Sequence, residues 1–360
     1  FDPATLTTAA TATVKTSVYD SVAVDSAIIK LAAANGMLTL DTLAARIPHG
    51  FSTAAGSFGL VTGQSGTLRY NVKVDSLHAL ARILPPPDTG VVRPRPAILA
   101  QRVTRADSAR AQAARATQVE RAVTGKVMPS FPVDTPRAIP RSQLSGSIAT
   151  HGTATGNIHT FDMTGSATGA NLVAFGSSAG AVTANYTWTT ALTPQSRVAA
   201  QASAVNVLAM GFVLDTVSFT ANYSHPNGNV TLNILQDSKR AYNATAQFTL
   251  DKDRDDLRLD QLRMRFDTTV YASTGPSTIH FSSTGTSIDH FEIKSQSGSR
   301  VFVNGDIPET GDADLDVSIT QFEARNITAL LQSDIPANGL FSVEARMHGT
   351  RANPTCAGAF

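Results

Sequence analysis

Cysteine is almost absent: Cys356 is the single thiol in 360 residues. No disulfide can form within the chain, and no cysteine-based zinc site can be built. Such a chain suits the cytosol or a bacterial envelope compartment. Charged residues make up only 16%, and 29 basic side chains nearly cancel 28 acidic ones, which argues against nucleic acid as a partner. Aromatics stand at 6%, too few for the girdles of a membrane-spanning barrel. No run of about 18 apolar residues occurs, so no transmembrane helix is expected. There is no Gly-x-Ser-x-Gly elbow and no phosphate-binding loop. The eight histidines are scattered: His151 and His159 lie eight apart, and none has metal-ligand spacing. The acidic run from Asp251 has Asp256 at its sixth place and Leu262 at its twelfth, where a calcium loop needs Gly and Glu. No catalytic residue, metal or cofactor is therefore expected, and an enzyme is the class with least support.

Thr, Ser, Asn and Gly carry the polar positions instead, and they do so with a period of two. Val182, Ala184, Tyr186 and Trp188 alternate with Thr183, Asn185 and Thr187. Val230, Leu232 and Ile234 repeat the pattern, as do Tyr242, Ala244, Ala246, Phe248 and Leu250, and then Leu262, Met264 and Phe266. A period of two means strands with one apolar and one wet face. After Gly275-Pro276 the apolar set moves to odd numbers: Phe291 and Ile293; Leu315, Val317 and Ile319; Phe341 and Val343. The candidate binding face comprises Tyr186, Trp188, Val230, Leu232, Ile234, Tyr242, Phe248, Leu262, Met264, Phe266, Phe291, Ile293, Leu315, Val317, Ile319, Phe341 and Val343. Taken singly, Tyr186 and Trp188 read more readily as core aromatics.

The chain divides into three. Residues 1–84 form a β module, with a hairpin signal at Asn35-Gly36, an alternating strand over 66–75 and a leucine-rich helical turn from Leu77 to Leu84. Residues 85–140 are a proline-rich linker that carries a basic helix at about 97–126. Between Arg93 and Lys126 eight basic residues face only Asp107 and Glu120, a local charge of +6. That is either a solvated connector or a helix resting on anionic headgroups. Residues 141–360 are a second β module of short strands, with Pro226-Asn227-Gly228 as its clearest hairpin turn. The start at Phe1-Asp2-Pro3 and the close at Cys356 to Phe360 read as cuts in a longer protein. The expected fold is all-β, a repetitive antiparallel sheet with one inserted helix.

A weak repeat supports this. The run from Tyr70 to Leu77 matches that from Leu315 to Phe322, a leucine-rich turn follows each, and His151-Gly152-Thr153 matches His348-Gly349-Thr350. Repeated sheet units stack, each covering its neighbour. The question becomes what covers the apolar face. A second sheet, barrel closure, a β-helix or a ligand would each do so. Lipid needs no internal jigsaw, and Ala, Val, Leu, Phe, Met and Tyr follow one another here in no fixed order.

The C-terminal residues carry a resemblance. Val301 to Ile307, Leu315 to Ile319, Ile327 to Leu331, Asn338-Gly339, Gly349-Thr350 with Pro354, and Gly358-Ala-Phe360 resemble the repeating unit of the TamB family of AsmA-like bacterial envelope proteins. Residues 66–84 with 144–175 resemble it more loosely, with Gly156-Asn157 where the proline belongs. The resemblance implies a sheet curled into a U-shaped, taco-like apolar groove in a periplasmic protein. It further implies phospholipid as cargo through its acyl chains, an inner-membrane anchor, and an Omp85-type outer-membrane barrel as partner. Glycines such as Gly152, Gly305 and Gly349 would permit sharp bends. Two other readings stand beside it: a β-helical or sandwich adhesin with a closed core, and a role in inserting outer-membrane proteins.

Overall fold

The computed structural model describes residues 2–19, 22–80, 91–92, 139–140, 143–251, 254–330, 332, 337–350 and 353–359. The basic helix expected at 97–126 and most of the proline-rich linker lie outside the described residues.

Alternation becomes strand almost everywhere. The first module holds β1 (Thr8–Tyr19), β2 (Val22–Ala34), β3 (Met37–Ile47), β4 (Gly50–Gly59) and β5 (Gly66–Val74), then a 3-10 turn at Leu77–Leu80. A short pair, β6 (Val91–Val92) and β7 (Ile139–Pro140), stands apart as its own two-stranded sheet. There follow β8 (Ser145–Gly156), β9 (Phe161–Ala174), β10 (Ser177–Ala191), β11 (Arg197–Ala209), β12 (Phe212–Ser224), β13 (Asn227–Leu235), β14 (Arg240–Leu250) and β15 (Arg254–Phe266). The chain continues through β16 (Thr269–Ser273), β17 (Ser277–Ser282), β18 (Gly285–Ser295), β19 (Arg300–Pro308) and β20 (Asp312–Glu323). The helix α1 (Ala324–Leu330), β21 (Leu340–Thr350) and β22 (Asn353–Ala359) complete it.

Twenty of these strands form one antiparallel sheet. Apart from β16 and β17, each pairs with the next strand of the sheet, so the sheet is a long meander. β5 pairs directly with β8, from Gly66 opposite Gly156 to Val74 opposite Ile148. The two modules are thus one uninterrupted sheet. Two-residue loops close several hairpins. Asn35-Gly36, Phe175-Gly176 and Met210-Gly211 all have positive φ at both positions, the geometry that matches strand twist.

Four points differ from the sequence reading. Asn227 and Gly228 lie inside β13, paired with Ser224 and Tyr223, so the turn is His225-Pro226. The Gly275-Pro276 break joins no hairpin. β16 and β17 lie end to end, and both pair with β15 and β18. The switch to odd numbering occurs earlier, at the Asp267 turn (φ 54°), because Tyr271 already faces Met264 across β15 and β16. Gly152 sits in mid-strand opposite Tyr70 rather than at a bend.

The repeat survives as architecture. β5 is followed by a helical turn, and the next strand of the sheet is β8; β20 is followed by α1 and then β21. The registers differ by two residues, since Gly152 pairs with Tyr70 whereas Gly349 pairs with Ala313 rather than Leu315.

Little of the chain is buried. Among the described residues only fourteen apolar side chains are, four of them alanines. A second layer would bury many more, so most of the sheet is a single layer. The largest cluster is Phe266, Tyr271, Ile293 and Phe322, with Ile327 and Ala329 of α1 against it.

Candidate binding face

The registers decide which side chains share a face. Across β10 to β15, Tyr186 stands opposite Ala200, which stands opposite Ala221, Val230 and Ala246 in turn. Leu232 faces Ala244, Ile234 faces Tyr242, Tyr242 faces Met264, and Ala244 faces Leu262. Beyond the split strand, Ile293 faces Val301, then Ile319, then Val343, while Phe291 faces Val303 and Val317. Directly opposite residues point to the same side. Trp188 and Phe266 lie two residues along the strand from members already placed, as does Leu315. Phe248 lies two along from Ala246, and Phe341 two along from Val343. All seventeen candidate residues therefore occupy one continuous face from β10 to β21.

The sequence reading missed much of that face. Val198, Ala200 and Ala202 of β11, and Val217, Phe219, Ala221 and Tyr223 of β12, belong to it, because Phe219 pairs with Leu232 and Val217 with Ile234. The odd-numbered alternation from 217 to 223 was the available signal. On the N-terminal side Leu31, Leu40 and Leu68 extend it, since Leu31 pairs with Leu40, and Leu40 and Leu68 both pair with Gly56.

The face has a covered part and an open part. Seven strand-to-strand steps separate β12 from β20, an arc of about 34 Å at about 4.8 Å per step. Yet the bridge between the two ends is short: the seven helical residues of α1 follow β20 directly and span about 10 Å at about 1.5 Å each. Gln332 accepts from Val213 N at 3.0 Å and donates to Val213 O at 3.1 Å, so its amide pairs like one more strand residue. An arc so much longer than its bridge means that the sheet rolls on this rim. α1 lies inside the roll, on the apolar side.

Its seating is specific. Tyr271 stacks on Phe322 at 4.7 Å, and Phe266 meets Tyr242 and Tyr271 edge-on at 5.8 and 5.9 Å. Asn326 of α1 donates to the Tyr271 hydroxyl at 3.1 Å. Arg240 donates to the carbonyl of Ala329 at 3.2 Å, satisfying a helix-end acceptor. Arg240 is itself held by Asp237. Burial pushes the Asp237 carboxyl up, and the hydrogen bonds from Arg240 and Lys239 outweigh that and keep it below its usual range. Tyr242 donates to Gln236 Oε1 at 2.6 Å, and burial pushes its phenol up to about 12.

The seventeen divide accordingly. Phe266, Ile293 and Val343 are buried; Tyr242, Leu262, Met264, Phe291 and Ile319 pack on or beside the α1 cluster. Val230, Leu232, Ile234, Phe248, Leu315 and Val317 are half-buried, and Phe341 is exposed. Phe219 keeps 38% of its surface open beside Leu232. Tyr186 and Trp188 are engaged elsewhere. Trp188 meets Phe161 at 5.9 Å, Phe161 meets Phe58 at 6.0 Å, and the indole donates to Ser196 at 2.6 Å.

Tyr186 belongs to a notch. Tyr70, Gly152, Gly165 and Tyr186 stand in one cross-strand row. The two tyrosines lie inward over the glycines and their hydroxyls meet at 2.5 Å, with Thr150 Oγ1 2.8 Å from Tyr186. A Cβ on Gly165 would come within 2.6 Å of both hydroxyl oxygens. Burial, and then the bond to Tyr186, push the Tyr70 phenol well up.

Among the described residues no group of three or more His, Cys, Asp or Glu side chains is placed to hold a metal, and no helix is long and apolar enough to cross a membrane. No family model, no curated protein and no solved structure matches this chain.

Proposed function

We propose that the apolar face is a track for phospholipid acyl chains, in a segment of a periplasm-spanning bridge between the inner and outer membranes. The observation that supports it most is the continuity of the face from β10 to β21, on which Leu232 and Ile234 are only half-buried and Phe219 is 38% exposed. A chain of CH₂ groups laid on it avoids about 0.8 kcal/mol of water exposure per group. Mixed residue sizes suit an occupant without fixed shape. The U-shaped groove along the whole sheet, the inner-membrane anchor and the Omp85-type barrel partner belong to this reading through the resemblance to TamB-like proteins. The reading needs no covalent chemistry. Assistance in outer-membrane protein insertion would use the same face.

The α1 cluster favours a second reading, a structural or adhesin-like protein whose apolar face is closed by its own chain. Native mass spectrometry with lipid extraction separates the two. Phospholipid that copurifies with the protein, and is lost in Leu232→Asp and Phe219→Asp, supports the track. A lipid-free, monodisperse, stably folded protein favours the closed reading.

A further inference from the structure

The opposite face of the sheet is wet, and its chemistry is unusually uniform. Asn222 pairs with Asn229, and Asn229 with Gln247; two residues along each strand, Thr220 pairs with Thr231 and Thr231 with Thr245. Next come Ser218, Asn233 and Asn243. These are parallel rows of neutral amides and hydroxyls running across the strands. Here the sheet is hollowed on its polar side. Asn222, Asn229, Gln247, Thr231 and Thr245 line an open hollow of about 850 Å³.

The charge in this hollow is small and marginal. Arg197 lies at one side and Asp260 at the other, and Asp260 is already paired with Arg258 at 3.1 Å. The rows are ordered by their own bonds: Asn222 donates to Asn229 at 3.1 Å, and Gln247 to Asp260 at 2.8 Å. Each primary amide has two donors and an acceptor with two lone pairs, so one bond apiece leaves both kinds of capacity facing outward.

We infer that this hollow binds a linear, uncharged glycan. Sugar hydroxyls both donate and accept, as the amide and Thr rows do. A chain laid along a row meets a new polar side chain about every 4.8 Å. An anionic polymer would find a neutral floor with one arginine, and an apolar chain would strand these polar groups without partners. The inference does not depend on the lipid track, which lies on the other face.

The test is calorimetric titration of the purified protein with cellohexaose, with the β-1,4 hexamer of N-acetylglucosamine, and with hexagalacturonate as the anionic counterpart. Saturable binding of at least one neutral hexamer is expected, with hexagalacturonate at least tenfold weaker. Asn222→Ala with Gln247→Ala should weaken that binding at least tenfold, and Thr231→Val should weaken it severalfold. Asn185→Ala, on the same face but outside the hollow, should leave it unchanged. An unchanged thermal transition in Thr231→Val establishes that the effect is on binding. Absence of binding by both neutral hexamers, equal binding of the anionic one, or indifference to the double and Thr231 variants would overturn the inference.

Discussion

The division of the apolar face into covered and open parts can be tested with two truncations. Phe266 is 3% exposed, in contact with Tyr242 and Tyr271 and part of the cluster on which α1 packs. Phe266→Ala removes a ring from a site that cannot collapse, because strands on both sides are fixed by their ladders. A cost of about 3–4 kcal/mol is expected. Leu232 is only half-buried, flanked by Ala244 and Phe219. Leu232→Ala in delipidated protein should cost about 1 kcal/mol, half of what a fully buried leucine gains from burial. A long stacked sheet need not unfold in one step, so the measurement is amide hydrogen exchange, strand by strand. At 1.4 kcal/mol per tenfold, Phe266→Ala should speed exchange in β14 to β16 about a hundredfold or more. Leu232→Ala should speed exchange in β12 to β14 by less than about tenfold. Equal costs at the two sites would refute the argument, since Leu232 would then be as covered as Phe266.

Three further outcomes follow from local geometry. Gly165→Ala places a methyl group 2.6 Å from the Tyr70 and Tyr186 hydroxyls and should cost about 1–3 kcal/mol. The cost should shrink sharply in a Tyr186→Ala background, and a double-mutant cycle with no coupling would sink the notch argument. Gln332→Ala removes both bonds to Val213 and leaves a buried N–H without a partner, worth about 1–3 kcal/mol. Exchange at Val213 and along α1 should accelerate together, and unchanged protection would mean that the clasp holds nothing. Glu292 is held down to about 2, by the Thr274 hydroxyl first and by Arg300 next. Its folded value lies below the ordinary 4.5, so its contribution is present above about pH 4.5 and is lost as pH falls toward 2. The wild type should lose stability over that interval, and Glu292→Gln should lose less; parallel acid profiles would contradict the assignment.

The sequence revealed the faces more readily than their cover. Alternation at 182–188, 230–234, 242–250 and 262–266 is a local signal, and a period of two assigns sides without knowledge of partners. The alanine-rich β11 gives little contrast between its faces, so its membership emerges only from register with β10 and β12. The Asn227-Gly228 pair carries a turn signature, yet Gly228 is a glycine for another reason. The Phe248 ring packs over it and stacks on Tyr223 at 6.0 Å. The leucine-rich turn at 322–331 was legible as helical. Its role as a cover was not, because that depends on seven strand steps of accumulated curl bringing β12 beneath it. Nothing within ten residues of Val213 announces Gln332.

The two faces also divide the work of specifying the fold. A one-residue slip in any ladder moves a strand's whole side-chain set to the other side of the sheet. On an apolar face of mixed and half-exposed residues, a two-residue slip would cost little, because no jigsaw fit is lost. Register must then be fixed elsewhere, and two devices on this sheet do so. The Asn, Thr and Gln rows are matched like with like from β12 to β14, through bonds such as Asn243 to Asn233 at 2.7 Å and Thr249 to Asn227 at 3.0 Å. The glycine notches admit Tyr70, Tyr186 and Phe248 at single positions only. Because the polar rows and notches hold the alignment, the open apolar face is released from the need for unique packing. That release is the physical condition under which a sheet can keep its shape while whatever lies on its apolar side changes length and position.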